Sequence, residues 1–145
     1  MEQKNYNCSI SVKTNANETM EAISRVNKWW IENVEGKSEK LDDIFTVRFS
    51  TEGFVTFKIT EFEKDTKVVW KVTDCYLPWI KDKTEWNNTQ AVFEISGEND
   101  MTKINFTHIG LVPEIECYDM CVKGWDQYVK GSLANYLNEG VGQPN

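Results

Sequence analysis

Polar and apolar residues alternate from Tyr6 through Cys8 and Ile10 to Val12, which predicts a half-buried strand at the start of the chain. Asn15, with Glu18 three residues later, has the form of a capping box, in which the Asn side chain takes an orphan N–H at a helix start. Met20, Ile23, Val26, Trp29 and Trp30 then fall on or near one side of one broken helix or two short ones reaching about Asn33. Gly36 follows, and its conformational freedom predicts the exit from that helical stretch.

Beyond Gly36 the period changes to two. Phe45, Val47 and Phe49 share one face, and a turn at Thr51-Glu52-Gly53 leads to a second row of Val55, Phe57 and Ile59. Glu63-Lys64-Asp65-Thr66 has turn composition and precedes Val68, Trp70 and Val72. Cys75 to Glu85, with Pro78, loses the alternation and predicts a loop. Ala91, Phe93 and Ile95 make the next strand, Ser96 to Asp100 a hairpin turn, and Ile104, Phe106 and His108 the return strand. From Pro113 the spacing becomes helical, with Cys117, Cys121, Trp125, Tyr128, Val129, Ser132, Leu133 and Tyr136 on the apolar side and Gly140 at the end.

An antiparallel sheet of this extent has one apolar face that must be covered, and only the long C-terminal helix is large enough to cover it. The predicted class is therefore α+β. A curved sheet closed around one amphipathic helix leaves a gap where the two diverge, the usual place for a ligand cavity. Phe57, Trp70, Phe93, Trp125 and Tyr128 converge on that interior, either as the wall of a pocket for a flat or greasy molecule or as a filled core.

Composition narrows the partners. The chain has 145 residues, suited to one domain spanning 1–145, and no repeat or Pro/Gly linker divides it. Its 23 Asp and Glu outnumber 16 Lys and Arg, for a net charge of −7, which argues against nucleic acid and against an anionic membrane surface. No apolar run approaches the length of a membrane span. Met1 to Thr14 alternates without a signal-peptide core, so a cytoplasmic location is expected. In that compartment the four cysteines are reduced thiols, and their spacing contains no Cys-x-x-Cys pair. With one histidine in the chain, no metal site and no cofactor are predicted.

Several residues in order carry a resemblance. Trp70-Lys71-Val72-Thr73-Asp74, Glu85-Trp86-Asn87, Thr107-His108-Ile109-Gly110-Leu111, Gly124-Trp125, Ser132-Leu133, Tyr136-Leu137 and Gly140-x-Gly142 together resemble the START-like (SRPBCC), or Bet v 1-like, superfamily. Within it they are similar to the branch related to the activator of the heat-shock protein 90 ATPase. The resemblance runs over about residues 5 to 143. It implies a helix-grip fold: a curved antiparallel sheet of six or seven strands around a long C-terminal helix, with two short helices after the first strand. It also implies a cavity for a small apolar molecule of lipid, sterol or polyketide type, with the loop carrying Trp79 and Trp86 at its mouth. A protein-interaction module for a chaperone is the alternative, although the N-terminal docking domain of the eukaryotic activators is not found in this sequence. Some members are cyclases or dehydratases.

His108 is the residue on which an enzymatic reading turns. Alternation places it on the inward face with Ile104 and Phe106, where it would anchor a ligand or act as a general acid or base. The plainer role is a structural histidine bonded to a backbone carbonyl near Gly110. Glu61 and Asp74 also lie in phase with inner rows, but a break in register near the strand ends leaves both solvated. No catalytic set is assigned.

Overall fold

The computed structural model describes residues 5–98 and 100–145, without the side chain of Glu98. Met1–Lys4, and Asn99 of the expected hairpin turn, lie outside the described residues. The strands are β1 (Tyr6–Val12), β2 (Val34–Gly36), β3 (Ile44–Arg48), β4 (Phe54–Glu63), β5 (Lys67–Tyr76), β6 (Gln90–Glu98) and β7 (Met101–Ile109). They form one antiparallel seven-stranded sheet in the order β1-β7-β6-β5-β4-β3-β2. Helices α1 (Ala16–Ser24) and α2 (Val26–Trp29) follow β1, and a helix running from Tyr118 to Glu139 crosses the concave face. This is the helix-grip α+β arrangement.

The inner rows are those set by the alternation. Val55, Phe57 and Ile59 of β4, Trp70 and Val72 of β5, Phe93 of β6, and Ile104 and Phe106 of β7 are each fully buried. Burying one such side chain is worth about 1.5–3 kcal/mol. Two irregularities between β4 and β5, one at Thr56/Phe57 and one at Ile59/Glu61, bend the sheet. They also reverse the phase beyond each bend. Asp74 is exposed while its neighbour Cys75 faces inward, and Glu61 is exposed and pairs with Lys67 at 3.2 Å. No inward carboxylate remains at either position.

Local chemistry at the first turn is as read. Asn15 Oδ1 accepts the Glu18 backbone N–H at 2.8 Å, and Asn15 Nδ2 donates to Glu18 Oε1 at 3.2 Å. Four boundaries move. The helical stretch ends at Trp29, and Gly36 instead closes the short strand β2 at φ +92°, where an added Cβ would lie 2.3 Å from the Ile44 carbonyl oxygen. β5 continues to Tyr76 because Cys75 and Tyr76 still pair with Val55 and Phe54. β6 runs to Glu98 because Ser96, Gly97 and Glu98 pair with Lys103, Thr102 and Met101, so the hairpin turn is tighter than predicted. Pro113 opens a series of turns, and the helix begins only at Tyr118.

That helix is not uniform. α3 (Tyr118–Trp125) passes into a π-helical segment (Asp126–Leu133) and then into α4 (Ala134–Glu139), which Gly140 terminates in a left-handed conformation at φ +83°. Its residues packed on the core, Cys121, Trp125, Val129, Leu133 and Leu137, recur at intervals of four. On an α-helix each such step over-rotates by about 40°. The wider π turns, bonded i to i+5, under-rotate and return the stripe to the sheet. Tyr6 Oη donates to Asp126 Oδ1 at the start of the wide segment and ties it to β1.

Candidate functional site

The space between sheet and helix is largely filled by rings. Trp70 packs on Phe93 with ring centroids 4.7 Å apart, Phe93 on Phe106 at 4.8 Å and Phe106 on Trp125 at 4.6 Å. Trp30 lies parallel to Trp70 at 6.3 Å and meets Trp125 at 4.8 Å. Phe57 sits in the same layer, 5.5 Å from Trp70 and 5.8 Å from Trp30.

Beside this layer, toward the start of α3, an apolar pocket of about 130 Å³ remains. Its lining comes from Trp30 at the end of α2, Phe49 just past β3, Trp79 and Trp86 on the loop, and Met120, Cys121, Gly124, Trp125 and Tyr128 on the helix. No Asp, Glu, Lys or Arg borders it. Of the six residues expected on a cavity wall, Trp125 and Tyr128 line this pocket, as do both loop tryptophans, Trp79 and Trp86. Phe57, Trp70 and Phe93 lie beneath it with no exposed surface, each in contact with other rings. The volume an empty grip fold would enclose is occupied here by aromatic side chains.

His108 does not reach the pocket. It is buried in a closed hydrogen-bond chain. Trp125 Nε1 donates to His108 Nδ1 at 2.9 Å, and since an indole N–H is only a donor, Nδ1 is unprotonated. Nε2 therefore carries the proton and donates to Thr89 Oγ1 at 2.9 Å, whose own hydroxyl donates to the Trp86 carbonyl at 2.7 Å. Burial lowers the His108 pKa to about 3. The partners are thus side chains of Thr89 and Trp125 rather than a carbonyl near Gly110. Gly110 contributes differently: at φ +103°, it lets Thr89 approach so closely that an added Cβ would lie 2.6 Å from Thr89 Cγ2. With both ring nitrogens engaged, His108 offers a ligand neither a donor nor an acceptor.

The loop from Leu77 to Asn88 is clasped to the start of α3 by two carboxylates acting in opposite directions. Glu85 accepts the backbone N–H groups of Glu116 at 2.6 Å and Cys117 at 3.3 Å, where the helix has no cap of its own. Glu116 accepts those of Lys81 at 2.9 Å and Asp82 at 3.3 Å, and the Lys81 bond is the main reason its pKa is lowered. This clasp fixes Trp86, which stacks on Trp125 at 6.0 Å and donates its indole N–H to Cys117 Sγ at 3.2 Å. Trp79 packs edge-on against Phe49 at 5.6 Å and is 43% exposed, forming the outer rim with Met120.

Cys117 also receives a hydrogen bond from the Cys121 thiol, which together with Trp86 holds its pKa below that of an ordinary thiol; donating that bond, and burial, push Cys121 up. Among the described residues, no group of three His, Cys, Asp or Glu is placed to hold a metal ion, and no helix is long and apolar enough to cross a membrane. Thr89, Gly124 and the Glu85/Glu116 clasp were not singled out from the sequence for these roles. A threonine outside a periodic stretch and two glutamates in polar surroundings carry no pattern that marks them.

No family model matches the chain, and no curated protein matches it. Solved structures do. The Aha1 dimer from Colwellia psychrerythraea matches with a TM-score of 0.77 at 21% identity, over 94% of this chain and 98% of that one. DynU16, from the dynemicin biosynthetic locus, matches with a TM-score of 0.74 at 16% identity over 97% of this chain, which spans about half (49%) of that protein. CalU16 from Micromonospora echinospora gives 0.67 at 12% identity, over 99% and 88% of the two chains. These likenesses show a shared fold, the START-like, Bet v 1-like helix grip.

Proposed function

We propose that this protein binds a small hydrophobic molecule, reversibly and without chemical change, in the pocket between the loop tryptophans and α3. The observation that carries this reading is the pocket itself: about 130 Å³, walled by aromatic and sulfur-containing side chains and bordered by no charged group. Well-packed interiors hold few voids larger than a water molecule. A cyclase or dehydratase role for His108 is disfavoured, because the imidazole would have to leave Thr89 and Trp125 and gain protons against a pKa of about 3. Native mass spectrometry of protein purified without detergent, followed by titration of the tryptophan fluorescence with a panel of neutral apolar molecules, tests the reading. Saturable binding of one molecule per chain supports it. Binding that survives disruption of the pocket by Trp125→Ala in a folded protein would place the ligand elsewhere.

A second reading rests on the likeness to the Colwellia Aha1 structure. On it, the acidic chain is a protein-interaction module whose partner is a chaperone with a basic surface. Stimulation of the chaperone ATPase by this chain at both low and physiological salt would favour that role.

A further inference from the structure

Gly124 is the last residue but one of α3 and so lies inside the continuous helix from Tyr118 to Glu139, where glycine is the poorest helix former apart from proline. Helix glycines are commonly required by a close contact or by a left-handed backbone. Neither applies here: an added Cβ would meet no heavy atom within 4 Å, and the residue is not among those with positive φ. What the missing side chain does is leave space, because Gly124 lines the apolar pocket one residue before Trp125. The helix forgoes stability at the point where a larger residue would fill the pocket.

The dimensions of that space select the occupant. Cavities of about 150 Å³ lined by apolar side chains stay dry and take up benzene. A pocket of about 130 Å³ has room for one ring, and since Trp79 and Met120 leave its rim exposed, any part of a ligand beyond one ring would stand out in solvent. The lining has no cation or anion, so a carboxylate or ammonium would be desolvated without a counterion. Two of the indole N–H groups, those of Trp86 and Trp125, are already bonded to Cys117 and His108. Tyr128 adds its ring to the lining, and the surface offered to a ligand is almost wholly apolar; burial raises the Tyr128 pKa.

From this we infer that Gly124 sets the specificity of the pocket, which takes a neutral, apolar single-ring compound, aromatic or cyclic. The assignment rests on the binding role proposed above and narrows it from apolar molecules in general to one ring.

The test uses the full chain and two-dimensional NMR, in which the Gly124 amide and the individual indole N–H signals report the site. Phenol and toluene are titrated as single-ring probes, benzoate as a charged ring of similar size, and anthracene and cholesterol as larger neutral molecules. The expected result is saturable one-to-one shifts at Gly124, Trp86 and Trp125 with phenol and with toluene, and a dissociation constant of about 0.1–1 mM for ligands of so few atoms. Benzoate should leave these signals in place, and anthracene and cholesterol should bind no more tightly than toluene. Gly124→Leu should weaken phenol binding at least tenfold while keeping or raising the melting temperature. Gly124→Ala should weaken it less and controls for helix propensity. Tight binding of anthracene or cholesterol with none of phenol would overturn the one-ring assignment but leave the binding role standing. Undiminished phenol binding by a folded Gly124→Leu protein would remove Gly124 from the site, and silence from all five probes would count against both the assignment and the role beneath it.

Discussion

At the scale of single residues, the only histidine of the chain makes stability depend on pH in a window of its own. An unfolded imidazole titrates near 6.5, whereas the folded one stays neutral to about pH 3. Between these values the unfolded state binds the extra proton, so the folded state loses stability as pH falls through 6.5 and keeps losing it toward 3. Between pH 7 and 5, before carboxylates contribute strongly, urea melts should show stability dropping by at most about 1.4 kcal/mol per pH unit. His108→Gln should be less stable at pH 7 and lose that slope; an unchanged slope would mean that the imidazole is not the group responsible. Thr89→Val leaves the Nε2 proton without an acceptor and should lower stability by about 1–3 kcal/mol at pH 7. Alternation was enough to place His108 inward. The identity of its partners was not legible, because Thr89 and Trp125 reach it from a loop and a helix whose mutual placement is a property of the fold.

Among the elements, strands were the most legible, since Val55-Phe57-Ile59 or Ile104-Phe106-His108 can alternate in this way only if one side of a sheet is buried. Bulges were harder to read. Nothing in Thr60 or Thr73 announces an extra residue, yet those irregularities turn Glu61 and Asp74 to solvent. The loop between β5 and β6 was legible as irregular, but the clasp that fixes it was not, because Glu85 and Glu116 meet only after the helix has docked. Glu85→Ala should leave the backbone N–H groups of Glu116 and Cys117, just ahead of α3, without their acceptor, at a loss of about 1 kcal/mol, and increase quenching of Trp79 fluorescence by iodide. Glu85→Gln, which still accepts through one oxygen, should fall between the two. The low pKa of Glu116 has a consequence of known sign: its bonds to Lys81 and Asp82 are fully present above the ordinary carboxylate range and weaken as pH falls through the lowered value. Loss of amide protection at Lys81 and Asp82 below the ordinary carboxylate range, ahead of any loss in β5, would show the loop releasing before the sheet.

For the molecule as a whole, the order of the sheet brings β1 from the start of the chain against β7 and leaves the three-residue β2 at the other edge. The central strands β5 and β6 are covered by rings on the inner face and paired on both edges. Hydrogen exchange should therefore be slowest in β5 and β6, tracking global unfolding, and faster in β2 and in the loop of Trp79. The cysteines report the same hierarchy. Cys75 and Cys117 are buried and should react with a thiol reagent only on unfolding, whereas the half-buried Cys8 and Cys121 should react sooner. The fold class was legible because element order and periodicity agree from end to end. Whether the interior is hollow was not, since Phe57, Trp70 and Phe93 satisfy an inward pattern equally well as a wall or as filling. The wide turns at Asp126–Leu133 bear on how this chain tolerates change in length. A single-residue deletion in an ordinary helix swings everything after the cut by about 100°. Here the stretch already carries surplus backbone, so excising Gln127 would tighten it into regular turns and leave Trp125 and Leu137 close to their original bearings. The same excision at Asn135 has no slack to absorb, and its product should melt at a markedly lower temperature.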